Sequence, residues 1–519
     1  IPNKKISFRG PTSLFILGHC STWKKVRLPL SISDLFIERE RESMELVLIP
    51  WPVMGHVQIV EFAKLIIHRQ NLLPSGKTLS VTVLLMKLPD YIDTVSSSYA
   101  DTLSSSSAAV AVNFVHLPAT EPTPEWSTRT RGYFVHNLVV SQKPNVEAFL
   151  RSRRPNIAAV VADMLCTSMI GVAAELGIPA YVFFTSPASF LGAMLHFQTL
   201  HDEQNDDVCA LGSSPSELTI PSFGVAVAPD VLSQVLVEKR QWQDRFLHYA
   251  RDYRKARGII VNTFAELESH ALGSFVVDSA YGAAPVPPVY SVGPILNRGP
   301  SRDAPEIMRW LNEQLCGSVV LLCFGSQGSL SEDQIHEVAV GLERSGRRFL
   351  WSLRRQPPST EKARFPGEYE SYREVLPEGF LERTSGVGKV VGWIPQLEVL
   401  SHPAVGGFVS HCGWNSVLES LWCGVPVATW PLHSEQQMNA FQLVRELGLA
   451  VEITLSYCEW RGDGVVAAAE VERGVREVME SGGEVRERVR EMKEKSRMSV
   501  VEGGSSYASF KRLIDDMMA

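Results

Sequence analysis

Short continuous apolar runs alternate with longer stretches of helical spacing along most of this chain. Residues 45–50 (ELVLIP) predict an apolar strand, WPVMG a turn, and residues 57–68 (VQIVEFAKLIIH) an amphipathic helix with Val60, Ala63, Ile66 and Ile67 on its inner side. Residues 158–162 (AAVVA) predict a buried strand closed by Asp163, followed by a helical stretch over 164–176. Residues 181–184 (YVFF) form a strand ending at Thr185. Residues 318–324 (SVVLLCF) are another continuous strand, after which Gly325-Ser326 opens a loop before a helix with Ser331 and Gln334 as a capping box. The same order returns as a strand at 405–410 (VGGFVS) and a helix at 414–423 (WNSVLESLWC), with Val417, Leu418, Leu421 and Trp422 at helical spacing before Gly424. Buried strands that alternate with helices belong to a doubly wound parallel sheet, so the fold class is α/β.

The series breaks once in the middle. Strand and helix signals run from Met44 to about Phe275, interrupted by a Ser-rich loop at 96–107 and a polar one at 201–217. The Pro-rich stretch 284–300 reads as a linker, and a second series follows, with a polar loop at 355–372. The expected organisation is a first Rossmann-like domain over 44–283, a linker over 284–300, a second Rossmann-like domain over 301–498 and a closing helix within 499–519. Residues 1–43 are expected to be an extension outside the fold. Met44 directly precedes the first strand, and the apolar patch at 12–20, behind Lys4, Lys5 and Arg9, has no clean small-residue cleavage site after it.

Composition narrows the function classes. A chain of 519 residues is comfortable for two α/β domains. Its net charge of −7 disfavours nucleic acid or an anionic membrane as the main partner, and the clusters at 151–154 and at Arg354-Arg355 read as solvated faces. No apolar run is long enough for a membrane span. Eight scattered cysteines, several inside apolar runs, suit reduced core thiols and a cytoplasmic setting. His402, His411, Cys412, Cys423 and His433 lie close in sequence but lack zinc-ligand spacing.

The chemistry gathers at the strand-to-helix turns. His411-Cys412-Gly413 is such a turn, where the following helix offers free N–H groups and a positive dipole end to an anion, so a diphosphate fits without a metal. His411, Asn415 and Ser416 add polar side chains there, and Glu419, one turn along, is a carboxylate suited to two vicinal ribose hydroxyls. His56 stands where the first strand hands over to the first helix, whose dipole favours the neutral imidazole that a general base needs. Asp163, closing an apolar strand, needs a partner or solvent. Capping alone would also account for His56 and Asp163.

From Trp393 to Gln436 the sequence resembles, end to end, the signature box of plant family 1 UDP-dependent glycosyltransferases, and the resemblance extends over 44–519. It implies a GT-B architecture, two facing Rossmann-like domains with a cleft between them, the first binding the acceptor and the second UDP-glucose. It also implies that Trp393 stacks on uracil with Ile394 and Gln396 beside it. His411, Asn415, Ser416 and Ser326 would serve the diphosphate, Glu419 the ribose, and Glu435, Gln436 and Thr185 the sugar hydroxyls, with Trp414 a further donor-binding candidate that core packing would also explain. His56 would deprotonate the acceptor hydroxyl, and Asp163 would orient the His56 ring and stabilise its imidazolium, in an inverting, metal-independent transfer that gives a β-O-glucoside. Gln436 favours glucose by the same analogy. The acceptor class is small and lipophilic, phenolic or flavonoid first and terpenoid second, and the enzyme is expected to work as a monomer. Three departures are Ile394 for the commoner Ala, Glu435 where Asp is frequent, and Val53 for a frequent Gly. The closing helix resembles the family's terminal helix that crosses back onto the first domain.

Three rival readings are weaker. A dinucleotide oxidoreductase lacks G-x-G-x-x-G after a first strand, and Gly386-Val387-Gly388 with Gly392 is spaced wrongly. A Ser-His-Asp hydrolase lacks G-x-S-x-G, since Phe324-Gly325-Ser326-Gln327-Gly328 has the wrong spacing. A catalytically inactive nucleotide-sugar-binding protein would keep the donor box and lose the base. Trp51, Met54, Phe183, Phe184 and Phe190 suggest an apolar acceptor pocket, and core packing explains each of them as well.

Overall fold

The computed structural model describes residues 42–53, 58–75, 77–88, 112–127, 131–238, 243–296, 304–357, 366–458, 462–480 and 482–519. The expected extension up to residue 41, Met54, His56 and the Ser-rich loop at 96–107 lie outside the described residues.

The first seven strands are β1 (Glu42–Ile49), β2 (Lys77–Leu85), β3 (Val112–His116), β4 (Ile157–Asp163), β5 (Ala180–Phe184), β6 (Gly258–Val261) and β7 (Val289–Ser291), in the spatial order β3-β2-β1-β4-β5-β6-β7. The next six are β8 (Val319–Cys323), β9 (Arg348–Ser352), β10 (Gly388–Val391), β11 (Val405–Ser410), β12 (Val427–Thr429) and β13 (Ala450–Glu452), in the order β10-β9-β8-β11-β12-β13. Neighbours pair in parallel in both sheets. The helices that frame the site are α1 (Gln58–His68), α2 (Ser168–Glu175), α3 (Ala188–Glu203), α4 (Glu332–Ser345), α5 (Gln396–Ser401), α6 (Trp414–Cys423), α7 (Gln436–Phe441), α8 (Glu484–Ser499) and α9 (Ser505–Met517).

Both faces of each sheet are covered, which is why the central strands read as unbroken apolar runs. In β1, Val47 and Ile49 join one core cluster and Leu46 and Leu48 another, the period-two alternation delivering side chains to opposite layers. The first of these clusters also runs through both halves of the chain, with Ile259 and Phe264 on one side and Trp414, Val417 and Phe441 on the other. The last helix, α9, buries Phe510, Leu513, Ile514 and Met517 in the cluster that holds β1, β2 and Phe62 of α1. Asp516 on α9 accepts from the Tyr181 hydroxyl at 2.6 Å and pairs with Arg257 at 2.8 Å.

Several expectations need correcting. Glu42 and Ser43 belong to the first strand, paired with Lys77 and Thr78, so the fold starts before the expected boundary. Residues 289–291, inside the expected linker, form β7 at the sheet edge, where flanking prolines cost no central ladder bond. On α1, Phe62 faces the core, 5.3 Å from Phe183, while Ile67 is half-buried at its margin. Ser331 caps α4 by accepting from Gln334 N at 3.3 Å, but the Gln334 side chain bonds both N and O of Val466, so only one half of the capping box forms. Arg354 is buried and donates to the carbonyls of Pro366 and Gly367 at 2.6 and 3.1 Å, whereas Arg355 is exposed. The seven described cysteines are free thiols. Among the described residues no helix is long and apolar enough to cross a membrane.

Candidate functional site

Strand order reverses between β1 and β4 and again between β8 and β11. Loops diverge at such points and leave a crevice beyond the carboxyl ends of the strands. Asp163 closes β4, Gly325-Ser326 follows β8 and His411 follows β11, so these candidates stand at the two reversals. His56 lies in sequence between β1 and α1.

The turn after β11 is tightly built. Cys412 has φ +59°, a left-handed conformation that costs a residue with a Cβ about 1–3 kcal/mol. Two hydrogen bonds hold it there: the Ser410 hydroxyl accepts from Cys412 N at 3.1 Å, and Asn439 Nδ2 donates to Cys412 O at 3.0 Å. The His411 ring is wedged between Gly325, itself at φ +76°, and Gly413, where a Cβ would sit 2.5 and 2.4 Å from Nε2. Burial holds the imidazole down at about 4, and Nδ1 has no protein hydrogen-bond partner. His411 is therefore neutral near pH 7. Gly413 precedes α6, and Val417 N is bonded to Gly413 O at 3.1 Å, so the N–H groups of Trp414, Asn415 and Ser416 have no intrahelical acceptor.

One turn along α6, Gln396 ties two helix starts together. Its Nε2 donates to Ser416 Oγ at 2.9 Å and to Glu419 Oε2 at 2.7 Å. Glu419 is buried, and desolvation pushes its carboxyl up to about 7 although the Gln396 hydrogen bond pulls the other way. Ile394 is buried in the same core, and half-buried Trp393 donates its backbone N–H to Glu368 Oε1 at 3.2 Å.

The Trp414 side chain reaches the first half of the chain. Its ring is buried, and its indole N–H donates to the carbonyl of Asn262, just past β6 in the first half, at 2.8 Å. The Asn262 side chain in turn accepts from Ile295 N at 2.7 Å and donates to Ile295 O at 3.0 Å. The side chain of Trp414 thus joins the two halves.

Glu435 caps α7 and Gln436 begins it. Gln436 Oε1 accepts from Leu432 N at 2.9 Å and His433 N at 3.1 Å, which folds the loop before it. Glu435 Oε1 accepts from Ser186 Oγ at 3.1 Å, across from the first half. Thr185, next to Ser186, is buried with Oγ1 3.3 Å from Met164 Sδ. Ser186, Asn262 and Glu368 were not singled out from the sequence. Ser186 had one available signal, its place beside Thr185 at a strand end.

Asp163 is fully buried, and its Oδ1 accepts from Leu165 N at 2.9 Å, bracing the turn that leads to α2. The helical stretch expected from 164 begins at Ser168 because this turn intervenes. Burial, and after it the Asp163 charge, drives the nearby Cys166 thiol well above its usual range. Among the described residues no group of three or more His, Cys, Asp or Glu side chains is arranged to hold a metal ion.

The family model for UDP-glucoronosyl and UDP-glucosyl transferases matches residues 285–468. UDP-glucose flavonoid 3-O-glucosyltransferase 6 of Fragaria ananassa is 45% identical over 497 residues, 92% of this chain and 99% of that one. The chain belongs to the plant family 1 UDP-dependent glycosyltransferases. Anthocyanidin 3-O-glucosyltransferase 1 of Manihot esculenta is 45% identical over 90% of this transferase and 100% of its own length. A Medicago truncatula glycosyltransferase complexed with UDP-glucose superposes with TM-score 0.80 at 36% identity, covering 94% of this transferase and 100% of that chain. The architecture is GT-B, two Rossmann-like domains with facing parallel sheets.

Proposed function

We propose that this transferase moves glucose from UDP-glucose to a hydroxyl of a small lipophilic acceptor, flavonoid or other phenol first, with inversion to a β-O-glucoside. The observation that carries the reading is the turn after β11, where the start of α6 and its positive dipole end meet a buried neutral His411 beside Gly325-Ser326. A diphosphate fits that turn because N–H donors and the helix dipole favour negative charge without requiring a divalent ion. Glu419, bridged by Gln396 to Ser416, takes the ribose hydroxyls, Trp393 stacks on uracil beside Ile394, and Glu435, Gln436 and Thr185 face the sugar.

In the reaction the acceptor oxygen attacks the anomeric carbon as the bond to UDP breaks. The proton goes to His56, and the charge developing on UDP meets the donors at the start of α6. Asp163 stabilises the imidazolium, a role suited to a buried carboxylate whose Oδ1 is already fixed by Leu165 N. We place acceptor binding in the half built on β1 to β7 and donor binding in the half built on β8 to β13, acting in the cytoplasm as a monomer. His56→Ala and Asp163→Asn are expected to lower the transfer rate by about 10²-fold or more while leaving UDP-glucose affinity intact. Wild-type transfer by His56→Ala would overturn the assignment.

A further inference from the structure

The segment that starts with Glu435 and Gln436 does not end as an ordinary helix. After Phe441 it widens into a π-helical turn over Gln442–Glu446, closed by Leu447 N to Gln442 O at 2.9 Å. Such turns are rare and recur at functional sites, since the extra residue redirects side chains. Here it brings Gln442 against the first half, where Gln442 Oε1 accepts from Ser189 Oγ at 2.9 Å. Both side chains are about 1% exposed.

Ser189 is itself fixed. It lies in the first turn of α3, where Ala188 N and Ser189 N donate to the two carboxylate oxygens of buried Glu268 at 2.8 and 2.9 Å. Its carbonyl accepts from Ser222 Oγ at 2.7 Å. The same β5-to-α3 connection carries Ser186, bonded to Glu435. Two hydrogen bonds therefore join the first half to the two ends of α7. Asn439, between them, grips the donor turn through Cys412 O.

A buried hydroxyl–carboxamide pair adds little net stability over an apolar pair of the same shape, but it fixes a direction that apolar contact leaves free. We propose that Gln442 is a positioning residue for sugar transfer. Held by Ser189, it sets the tilt of α7 and so where Glu435 and Gln436 meet the sugar of the donor. This rests on the reading that those two residues face the sugar. Gln442 and Gln436 are about 9 Å apart along the helix, so a tilt of about 10° moves the sugar contacts by about 1.5 Å. A misplacement near 1 Å can cost about 10²-fold in rate.

The test uses the full chain with Gln442→Leu, Ser189→Ala and the double variant. UDP dissociation constants, thermal midpoints, kcat, and the kcat/KM ratio for UDP-glucose over UDP-galactose are measured. Expected are UDP affinity within about twofold of wild type, kcat lower by about 10- to 100-fold and a reduced preference for UDP-glucose, with the double variant no worse than either single. A fall in kcat that tracks equal losses in UDP affinity and thermal midpoint would mean a merely structural role and overturn the proposal, as would unchanged kcat and donor preference. If Gln442→Leu does not fold, Ser189→Ala removes the same bond from the other side. Gln436→Ala is run in parallel. If it leaves donor preference unchanged, the sugar-contact reading fails and takes this proposal with it. If it alters preference while Gln442→Leu does not, the positioning role alone is refuted.

Discussion

Glu419 makes the affinity for UDP-glucose depend on pH, with a sign and size that follow from its burial. Its carboxyl titrates at about 7 in the free protein, raised from 4.5 by desolvation. The ribose hydroxyls donate to an acceptor, so the ionised carboxylate is the form that binds. At pH 5.5 only about 3% of the protein has Glu419 ionised, so the donor should bind about 30-fold more weakly than at pH 8.5. UDP-glucose is the ligand to use, because its diphosphate has no free terminal group to titrate in this window. His411, held at about 4, stays neutral throughout. Isothermal calorimetry from pH 5.5 to 8.5 should show the rise in wild type and a much flatter profile in Glu419→Gln. The same group affects folding. A carboxyl with a raised folded pKa binds more protons folded than unfolded, so the free protein should lose about 3 kcal/mol of stability between pH 4.5 and 7 and no more from this source above it. A flat wild-type affinity profile, or one that Glu419→Gln leaves as steep, refutes the reasoning.

Two further substitutions probe the frame. Trp414→Phe keeps an aromatic ring but removes part of the buried volume and the indole N–H that reaches Asn262 O, leaving a buried carbonyl unpaired; a loss of at least about 1–3 kcal/mol is expected in denaturant titration, and an unchanged midpoint would show that the bond contributes nothing. Gly325→Ala places a Cβ at φ +76° against His411 Nε2, so a stability loss of about 1–2 kcal/mol should accompany weaker UDP binding; normal UDP binding in that variant would detach His411 from the donor site.

Elements with strong local signals were legible. β11 and α6 fall at Val405–Ser410 and Trp414–Cys423, the residues that apolar runs and helical spacing mark, because Gly413 and Gly424 punctuate them. Asp163 at the end of a buried strand was legible for the same reason. β7 was hidden by the prolines around it, and Phe62 by a helix whose apolar stripe is wider than the residues picked from it. Arg354 looked like one of a pair of surface cations because charge runs usually are, and only the fold brings carbonyls 366 and 367 to it. The bonds between halves, Ser186–Glu435, Ser189–Gln442 and Trp414–Asn262, join residues 152 to 253 positions apart. No local periodicity encodes such pairs. Trp414 illustrates the limit, since its place in the donor box is legible in the sequence and the bond of its indole N–H to Asn262 O is not.

The most direct measurement is mass spectrometry of the purified chain incubated with UDP-glucose and a mixed panel of flavonoids, simple phenols and terpenoid alcohols, with EDTA present and no added metal. Gain of one hexose on a panel member, with UDP released, is the expected result. No transfer to any member, together with no detectable binding of UDP-glucose, would contradict the donor site at the start of α6 and the function built on it.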